Sequence, residues 1–177
     1  MSKRYKVGIV GLGAIGLQIA RTIDRGNVSN FDLVAILEKN NKVIKYDKKY
    51  HLCKNYDELL RMDIDAVFLC TYVKYFAEYT IKALKSNKHV FCEKPMAVDG
   101  SGVRSVMESA KLAKENGTNL MSGFCWRYNY PLRSVYEQIH NDAIGDVRSV
   151  FATYYASPLW RKPRKEGWSD IEWQMRN

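Results

Sequence analysis

The chain has 177 residues, of which 46% are hydrophobic and 27% charged, a globular balance with room for one full domain and part of another. It contains no run of the ~20 consecutive apolar residues that a membrane-spanning helix requires. Its polar first residues lead directly into an apolar run, which leaves no space for the apolar core of a signal peptide. We therefore predict a cytoplasmic protein with no membrane partner.

A net charge of +9 is high enough to suit a nucleic-acid partner. The basic residues are spread along the chain, however, and their densest cluster, at residues 161–165, follows no common nucleic-acid-binding pattern. We therefore predict a solvated basic surface and no nucleic-acid partner.

Four cysteines are widely separated along the chain: Cys53, Cys70, Cys92 and Cys125. Because no C-x-x-C pair is present, their spacing indicates neither a zinc site nor a disulfide framework, and we predict no metal. The last three lie at or near the ends of apolar runs, where cysteine commonly serves as a small buried hydrophobe. We therefore predict structural thiols.

Short β-rich runs alternate with helical patterns, which predicts a parallel sheet with helices on both faces, an α/β doubly wound fold. Strands are expected at residues 5–10, 31–37, 65–71, 89–92 and 119–125. Helices are expected at residues 14–25, 56–61, 76–86, 101–116 and 131–140. The polar stretch 38–55 is ambiguous and could hold a short helix, whereas residues 147–156 alternate as a further strand would. The helix at 101–116 should bury one apolar face, formed by Val103, Val106, Met107, Ala110 and Ala113.

The sequence Gly11-Leu12-Gly13-Ala14-Ile15-Gly16 follows the first predicted strand and opens the first predicted helix. In this context a glycine loop binds the pyrophosphate of NAD or NADP. Gly11 permits a tight turn, Gly13 lets the backbone approach the phosphates, and Gly16 lets helix and strand pack closely. The helix N-terminus, at Ala14 and Ile15, then presents unpaired N–H groups to the phosphates. The alternative is a glycine turn that binds nothing.

Glu38 ends the second predicted strand, where a carboxylate can accept hydrogen bonds from the adenosine ribose hydroxyls. A carboxylate there would repel a 2′-phosphate, so Glu38 favours NAD as the cofactor. Lys39, the next residue, would attract that phosphate and leaves NADP as an alternative. A solvated loop acid with no ligand is the remaining interpretation.

Lys94 stands at the C-terminal end of the fourth predicted strand, within His89-Val90-Phe91-Cys92-Glu93-Lys94-Pro95-Met96-Ala97. Open α/β sheets bind their ligands at that edge, and a lysine placed there can act as an acid or a base. On its own, a Glu-Lys-Pro tripeptide is usually a turn.

Taken together, these motifs resemble the Gfo/Idh/MocA oxidoreductase family. The matching segments are Gly11 to Gly16, Ala83-Leu84 through Lys88-His89-Val90, Glu93-Lys94-Pro95-Met96-Ala97, Gly123-Phe124-Cys125-Trp126-Arg127-Tyr128 and Gly145-Asp146-Val147. The resemblance covers almost all of the chain. It implies an NAD(P)-binding Rossmann domain at residues 1–125. Residues 126–177 would then hold a linker helix and the first strand of a C-terminal α+β substrate domain.

By this resemblance the protein is an NAD(P)-dependent oxidoreductase that transfers hydride between nicotinamide and a sugar, inositol or related polyol. Lys94 would bind the substrate hydroxyl and take part in proton transfer, with Glu93 orienting it, and both would lie against the cofactor. The Lys94–Pro95 bond would be cis. Arg127 would contact the cofactor and Tyr128 the substrate. The full-length enzyme would be a homo-oligomer.

The sequence departs from the family pattern in two places. Thr71-Tyr72-Val73 replaces the usual Thr-Pro-Asn, and Phe76 replaces a histidine, so Thr71 is the only cofactor residue carried over on that side. The catalytic Asp and His of the family's second domain have no counterpart in this chain. We therefore expect a fragment of a longer enzyme, one that binds cofactor better than it catalyses.

Two other functions remain open at this point. One is a glycosidase of the same superfamily, which uses tightly held NAD for a transient oxidation and would not release reduced cofactor. The other is a nucleotide-binding protein without catalysis, which would retain the Rossmann part alone.

Overall fold

The computed structural model describes residues 3–39, 49–157, 161 and 163–175, and its core is one parallel sheet. The strands are β1 Tyr5–Val10, β2 Phe31–Leu37, β3 His51–Leu52, β4 Ala66–Leu69, β5 His89–Cys92 and β6 Leu120–Ser122. The helices are α1 Ala14–Asp24, α2 Tyr56–Arg61, α3 Phe76–Lys85, α4 Gly100–Glu115, α5 Tyr130–His140 and α6 Asp170–Met175. Two 3₁₀ turns, Val73–Tyr75 and Cys125–Tyr128, complete the described elements.

The strand order β3-β2-β1-β4-β5-β6 places the topological switch between β1 and β4. The chain proceeds outward from β1 in one direction and then outward from β4 in the other. At such a switch the connections leave the sheet on opposite faces, which opens a crevice at the carboxyl ends of the strands. That edge is where the predicted site residues follow β1, β4 and β5.

Two hydrophobic layers cover the two faces of the sheet. Beneath α1, the strand residues Val7, Ile9 and Ile36 are buried with helix residues Ala20 and Ile23. On the other face, strand residues pack with residues of α2, α3 and α4: Val10, Val67, Leu69, Val90, Leu59, Phe76, Leu84 and Ala113. Alternate strand residues therefore serve opposite layers, and the predicted doubly wound α/β fold is confirmed.

Several helix boundaries follow from local hydrogen bonding. The side chain of Asn55 accepts the Glu58 N–H at 2.9 Å and begins α2, and Asp99 accepts the Gly102 N–H at 2.6 Å and begins α4. Asn87, just after α3, adopts a left-handed conformation with φ 55°, which ends that helix.

The strand predicted at residues 147–156 is wrong. All ten residues are described without regular structure, and their apolar side chains are exposed, to 83% at Val150 and 92% at Phe151. A β-strand needs a neighbouring strand for its backbone hydrogen bonds. In the described part of the chain no strand pairs with this segment, so its alternate apolar side chains have no sheet face to form.

The apolar face predicted for α4 is only partly buried. Val106 and Ala113 enter the core beside α3, whereas Val103 and Met107 are 46% and 57% exposed. The ambiguous stretch 38–55 contains the two-residue strand β3 near its end, and the sequence pattern did not predict this strand. The short helix considered for that stretch falls largely on residues 40–48, which lie outside the described residues.

Burial is confirmed for two of the three cysteines at the ends of apolar runs, because Cys92 lies in the core and Cys70 is half-buried. Cys53, for which no apolar run predicted burial, also lies in the core. The prediction is wrong for Cys125, which is exposed. It lies in a 3₁₀ turn beyond β6, where the expected continuation of the strand would have buried it.

The chain divides into two compact units, Met1–Phe124 and Cys125–Asn177. The first unit contains the whole sheet. The second contains α5 and α6, and its assignment as the start of a substrate domain stays a prediction. None of the described helices has both the length and the apolar character needed to cross a membrane.

Candidate nucleotide-binding site

The loop between β1 and α1 has the backbone geometry of a phosphate loop. Gly11 has φ 89°, and a Cβ there would lie 2.6 Å from the carbonyl oxygen of Cys70. A Cβ at Gly16 would lie 1.9 Å from the carbonyl oxygen of Gly11. Both glycines are therefore required by packing within the protein.

Gly13 differs, because a Cβ built there meets no described atom within 4 Å. Open space faces this residue, and packing gives no reason for a glycine. Gly13 also precedes α1 as its N-cap without a side-chain hydrogen bond, and the first turn carries no acidic residue. The N–H groups of Ala14 and Ile15 belong to the first turn, where a helix supplies no partner for them, at the positive end of the helix dipole, an arrangement that fits a pyrophosphate.

Glu38 connects the end of β2 to this loop. Its Oε2 accepts the backbone N–H of Leu12 at 2.6 Å. The bond fixes the carboxylate beside the glycine loop, where the sequence predicted that it would meet the adenosine ribose. The backbone partner, Leu12, was not predicted, because every residue except proline carries a main-chain N–H and the residue type does not show which one donates.

Two lysines converge on one aromatic ring close to the same region of the chain. The Lys39 Nζ lies 5.4 Å from the centre of the Tyr75 ring, and the Lys74 Nζ lies 5.1 Å from it. Both distances are within the range of a cation–π contact. Lys39 follows Glu38 directly, so the end of β2 carries an anion held by the loop and a cation held by Tyr75.

The Glu-Lys-Pro element follows β5 at the carboxyl edge. The Lys94–Pro95 peptide bond is cis, as predicted, and the Lys94 side chain is exposed. Glu93 Oε2 accepts the backbone N–H of Lys94 at 3.3 Å, and the Glu93 carboxylate lies against Gly123 at the end of β6. Glu93 therefore contacts the backbone of Lys94, and an orienting role for it stays a prediction.

The residues that follow β4, Cys70 and Thr71, lie beside the glycine loop, and Cys70 also lies near Glu93 of the Glu-Lys-Pro element. Thr71 follows Cys70 and lies beside the loop, since a Cβ at Gly11 would be 3.0 Å from the Thr71 Cα. Burial, with a further contribution from the charge of Glu93, raises the pKa of the Cys70 thiol to about 12. Cys70 is thus a neutral packing group between the loop and Glu93. This agrees with the structural thiol predicted at this position.

The remaining predicted residues do not join this edge within the first unit. Phe76, at the position where a histidine was expected, is buried in the core at the start of α3. Arg127 and Tyr128 lie in the second unit, in the turn Cys125–Tyr128. Their contacts with cofactor and substrate stay predictions.

A separate cluster of possible metal ligands has a structural explanation. The ligand atoms of His51, Cys53 and Glu58 lie within 4.8 Å of one another. The His51 Nε2 and Glu58 Oε1 are 2.8 Å apart, and Glu58 Oε2 accepts the Lys54 N–H at the start of α2. Burial raises the pKa of the Cys53 thiol to about 11, so this group stays protonated. Glu58 therefore serves the N-terminus of α2, where it binds the Lys54 N–H and contacts His51.

The fold and the glycine loop define a dinucleotide-binding α/β protein. Comparison with known proteins makes this more specific, because residues 5–124 match the Gfo/Idh/MocA model, described as an oxidoreductase family with an NAD-binding Rossmann fold. This chain belongs to the Gfo/Idh/MocA family, and the match covers the whole sheet.

Similar proteins include several inositol dehydrogenases. The inositol 2-dehydrogenase of Pseudomonas syringae is 32% identical over 80% of this chain and 43% of its own length. The myo-inositol 2-dehydrogenase of Thermotoga maritima is 29% identical over 79% of this chain and 42% of its own. A crystal structure of scyllo-inositol dehydrogenase from Lactobacillus casei, with bound NAD(H) and scyllo-inositol, has a TM-score of 0.75 and 26% identity. The match covers 81% of this chain and 43% of that structure's chain. The chain thus spans less than half the length of these relatives.

Proposed function

We propose that this chain is the cofactor-binding part of an NAD(P)-dependent dehydrogenase acting on a sugar, inositol or related polyol. The observation that carries the proposal is the exposed Lys94, two residues beyond β5, at the same sheet edge as the glycine loop. A cation at this edge can meet a hydroxyl of a substrate held next to the nicotinamide. The names of the relatives support a polyol as the substrate class.

The nicotinamide, when bound, supplies the acceptor for hydride from a CH–OH carbon. The residues of this chain handle the accompanying proton. Lys94 Nζ hydrogen-bonds the substrate hydroxyl and takes part in the transfer of its proton in both directions of the reaction. Glu93 holds the backbone of Lys94 through the hydrogen bond to its N–H. Thr71 and Arg127 contribute to the cofactor side, and Tyr128 to the substrate side.

Glu38 favours NAD over NADP in this proposal. Its carboxylate is held at 2.6 Å by the Leu12 N–H, so it cannot turn away from a 2′-phosphate without losing that bond. Lys39 and Lys74 supply positive charge nearby but are both engaged with the Tyr75 ring. We expect the preference for NADH to be set by Glu38 and reduced, not reversed, by these lysines.

Calorimetric titration with NADH and NADPH tests the binding site. We expect NADH to bind more tightly than NADPH. In Gly13→Val the new side chain fills the open space before α1, and NADH affinity should fall at least about tenfold, or about 1.4 kcal/mol. Gly100→Ala, at the start of α4, is the matched control. Failure of the folded wild-type chain to bind either nucleotide would refute the proposal.

Turnover tests the chemistry. The full-length enzyme is mixed with NAD and either myo-inositol or scyllo-inositol, and NADH formation is followed by its absorbance. Lys94→Ala should lower the rate by about 10²–10⁴ while leaving NADH affinity within a small factor. Lys85→Ala removes an exposed lysine at the end of α3 and controls for lost charge. Equal turnover by Lys94→Ala and Lys85→Ala would remove Lys94 from the mechanism.

A further inference from the structure

Gly123 has an environment that its place in the chain does not explain. It directly follows β6, and its backbone is outside the left-handed region, so an L-amino acid could adopt its conformation. Its N–H donates to the Cys92 carbonyl oxygen at 2.9 Å, a bond that any residue except proline would make. Neither φ nor backbone hydrogen bonding therefore calls for glycine here.

The reason for a glycine is the Glu93 carboxylate. A Cβ at Gly123 would lie 2.7 Å from Glu93 Oε1, 2.9 Å from its Cδ and 3.0 Å from Oε2. The whole carboxylate thus lies flat against the Gly123 backbone, in the space that a side chain would occupy. These distances are shorter than van der Waals contact, so a methyl group and the present position of Glu93 exclude each other.

We propose that Gly123 is a positioning residue for Glu93. The missing side chain at the end of β6 lets the carboxylate rest at the sheet edge, next to the backbone N–H of Lys94 that it accepts at 3.3 Å. Gly123 thereby lets this negative charge stay against the backbone at the end of β6, away from the place that the proposed function gives to the nicotinamide. This inference rests on the proposed function, because that function places the nicotinamide at Lys94.

A substitution at Gly123 should move Glu93 and spare the fold. The atoms in the way belong to the end of a flexible side chain, which can rotate, whereas at Gly16 they belong to the backbone of Gly11. In Gly123→Ala the carboxylate is therefore displaced from β6. We expect the displaced carboxylate to move toward the nicotinamide end of the cofactor, which the proposed function places at this edge.

The test compares NADH with ADP-ribose, which has the same pyrophosphate and adenosine but no nicotinamide. We expect Gly123→Ala to keep its melting temperature and its ADP-ribose affinity, and to bind NADH at least about fivefold more weakly, or about 1 kcal/mol. The fluorescence of bound NADH should change as well, because the displaced carboxylate lies beside the nicotinamide. Gly100→Ala makes the same chemical change where the added Cβ would meet only the Arg104 side chain, 3.5 Å from its Nη1, and it should alter none of these values.

Removal of the carboxylate is the decisive control. In a Glu93→Ala background, Gly123→Ala should have no further effect on NADH binding, because nothing is left to displace. A loss of equal size for ADP-ribose and NADH, or a loss that persists without Glu93, would assign the effect to the β6 backbone and overturn the inference. An unchanged ratio of the two affinities would also overturn it. If the wild-type chain bound neither ligand, the proposed function itself would fail, and this inference with it.

Discussion

A methyl group added at Gly16 would lie 1.9 Å from the carbonyl oxygen of Gly11, whereas one added at Gly13 meets no described atom within 4 Å. The two glycines are three residues apart in the same loop, yet different partners require them. Gly16 is needed by the protein, since α1 and the loop touch there. Gly13 is needed only if a ligand approaches the loop.

Alanine substitutions separate these two requirements. Gly16→Ala forces two backbone segments apart, so its free energy of unfolding should fall by about 1–3 kcal/mol. Gly13→Ala meets open space at an allowed φ of −67°, and its stability should stay within about 0.5 kcal/mol of the wild type. Urea denaturation of both variants measures the difference. Equal stability losses at the two positions would contradict this account of the loop.

At the scale of elements, the strongly patterned segments could be predicted from the sequence. The bounds of β1, β2, α2 and β5 agree with the predicted ones residue for residue, because apolar runs there end at turn-forming or capping residues. β3 was missed because two residues show no periodicity. The segment 147–156 has a strand pattern but no described partner, and pattern alone cannot supply one.

The candidate site also divides into residues that a local sequence pattern predicts and contacts that depend on distant parts of the chain. The glycine loop, Glu38 and Lys94 could be predicted because each is next to the end of a strand, and parallel strands end at one edge. The contact between Glu93 and Gly123 could not, since it joins the ends of β5 and β6 between residues thirty positions apart in the sequence. Likewise, the bond from Leu12 to Glu38 depends on a backbone N–H that every residue except proline carries.

At the scale of the whole first unit, burial raises the pKa of three thiols and one tyrosine hydroxyl and so keeps these groups protonated. It raises the pKa of the Cys53 thiol to about 11, of Cys70 to about 12 and of Cys92 to about 11. It also raises the pKa of the Tyr56 hydroxyl, which donates to the Tyr79 carbonyl oxygen at 2.8 Å. Cys53, Tyr56 and Cys92 all belong to the hydrophobic layer that packs with α2, α3 and α4, so their ionisation is coupled to unfolding of the sheet.

The sign of this coupling predicts alkaline destabilisation. An unfolded thiol ionises near a pKa of about 8.5, whereas the buried thiols stay neutral to about pH 11, so the unfolded chain loses protons first. The full stability contribution is present below about pH 8.5 and is lost progressively as the pH rises toward 11–12. The melting temperature should therefore fall more steeply between pH 8.5 and 10 than between pH 7 and 8.5.

Removal of one buried thiol should reduce the effect by a measurable amount. Without the Cys70 proton, the slope of unfolding free energy against pH in that interval should shrink by up to about 1.4 kcal/mol per pH unit. Urea denaturation of Cys70→Ala at pH 8.5, 9.25 and 10 measures the slope, and Cys125→Ala, which removes an exposed thiol, is the matched control. If Cys70→Ala and Cys125→Ala gave the same slope, the alkaline loss would have to come from groups outside the buried layers. In that case the lysines that surround the sheet would be the next residues to substitute.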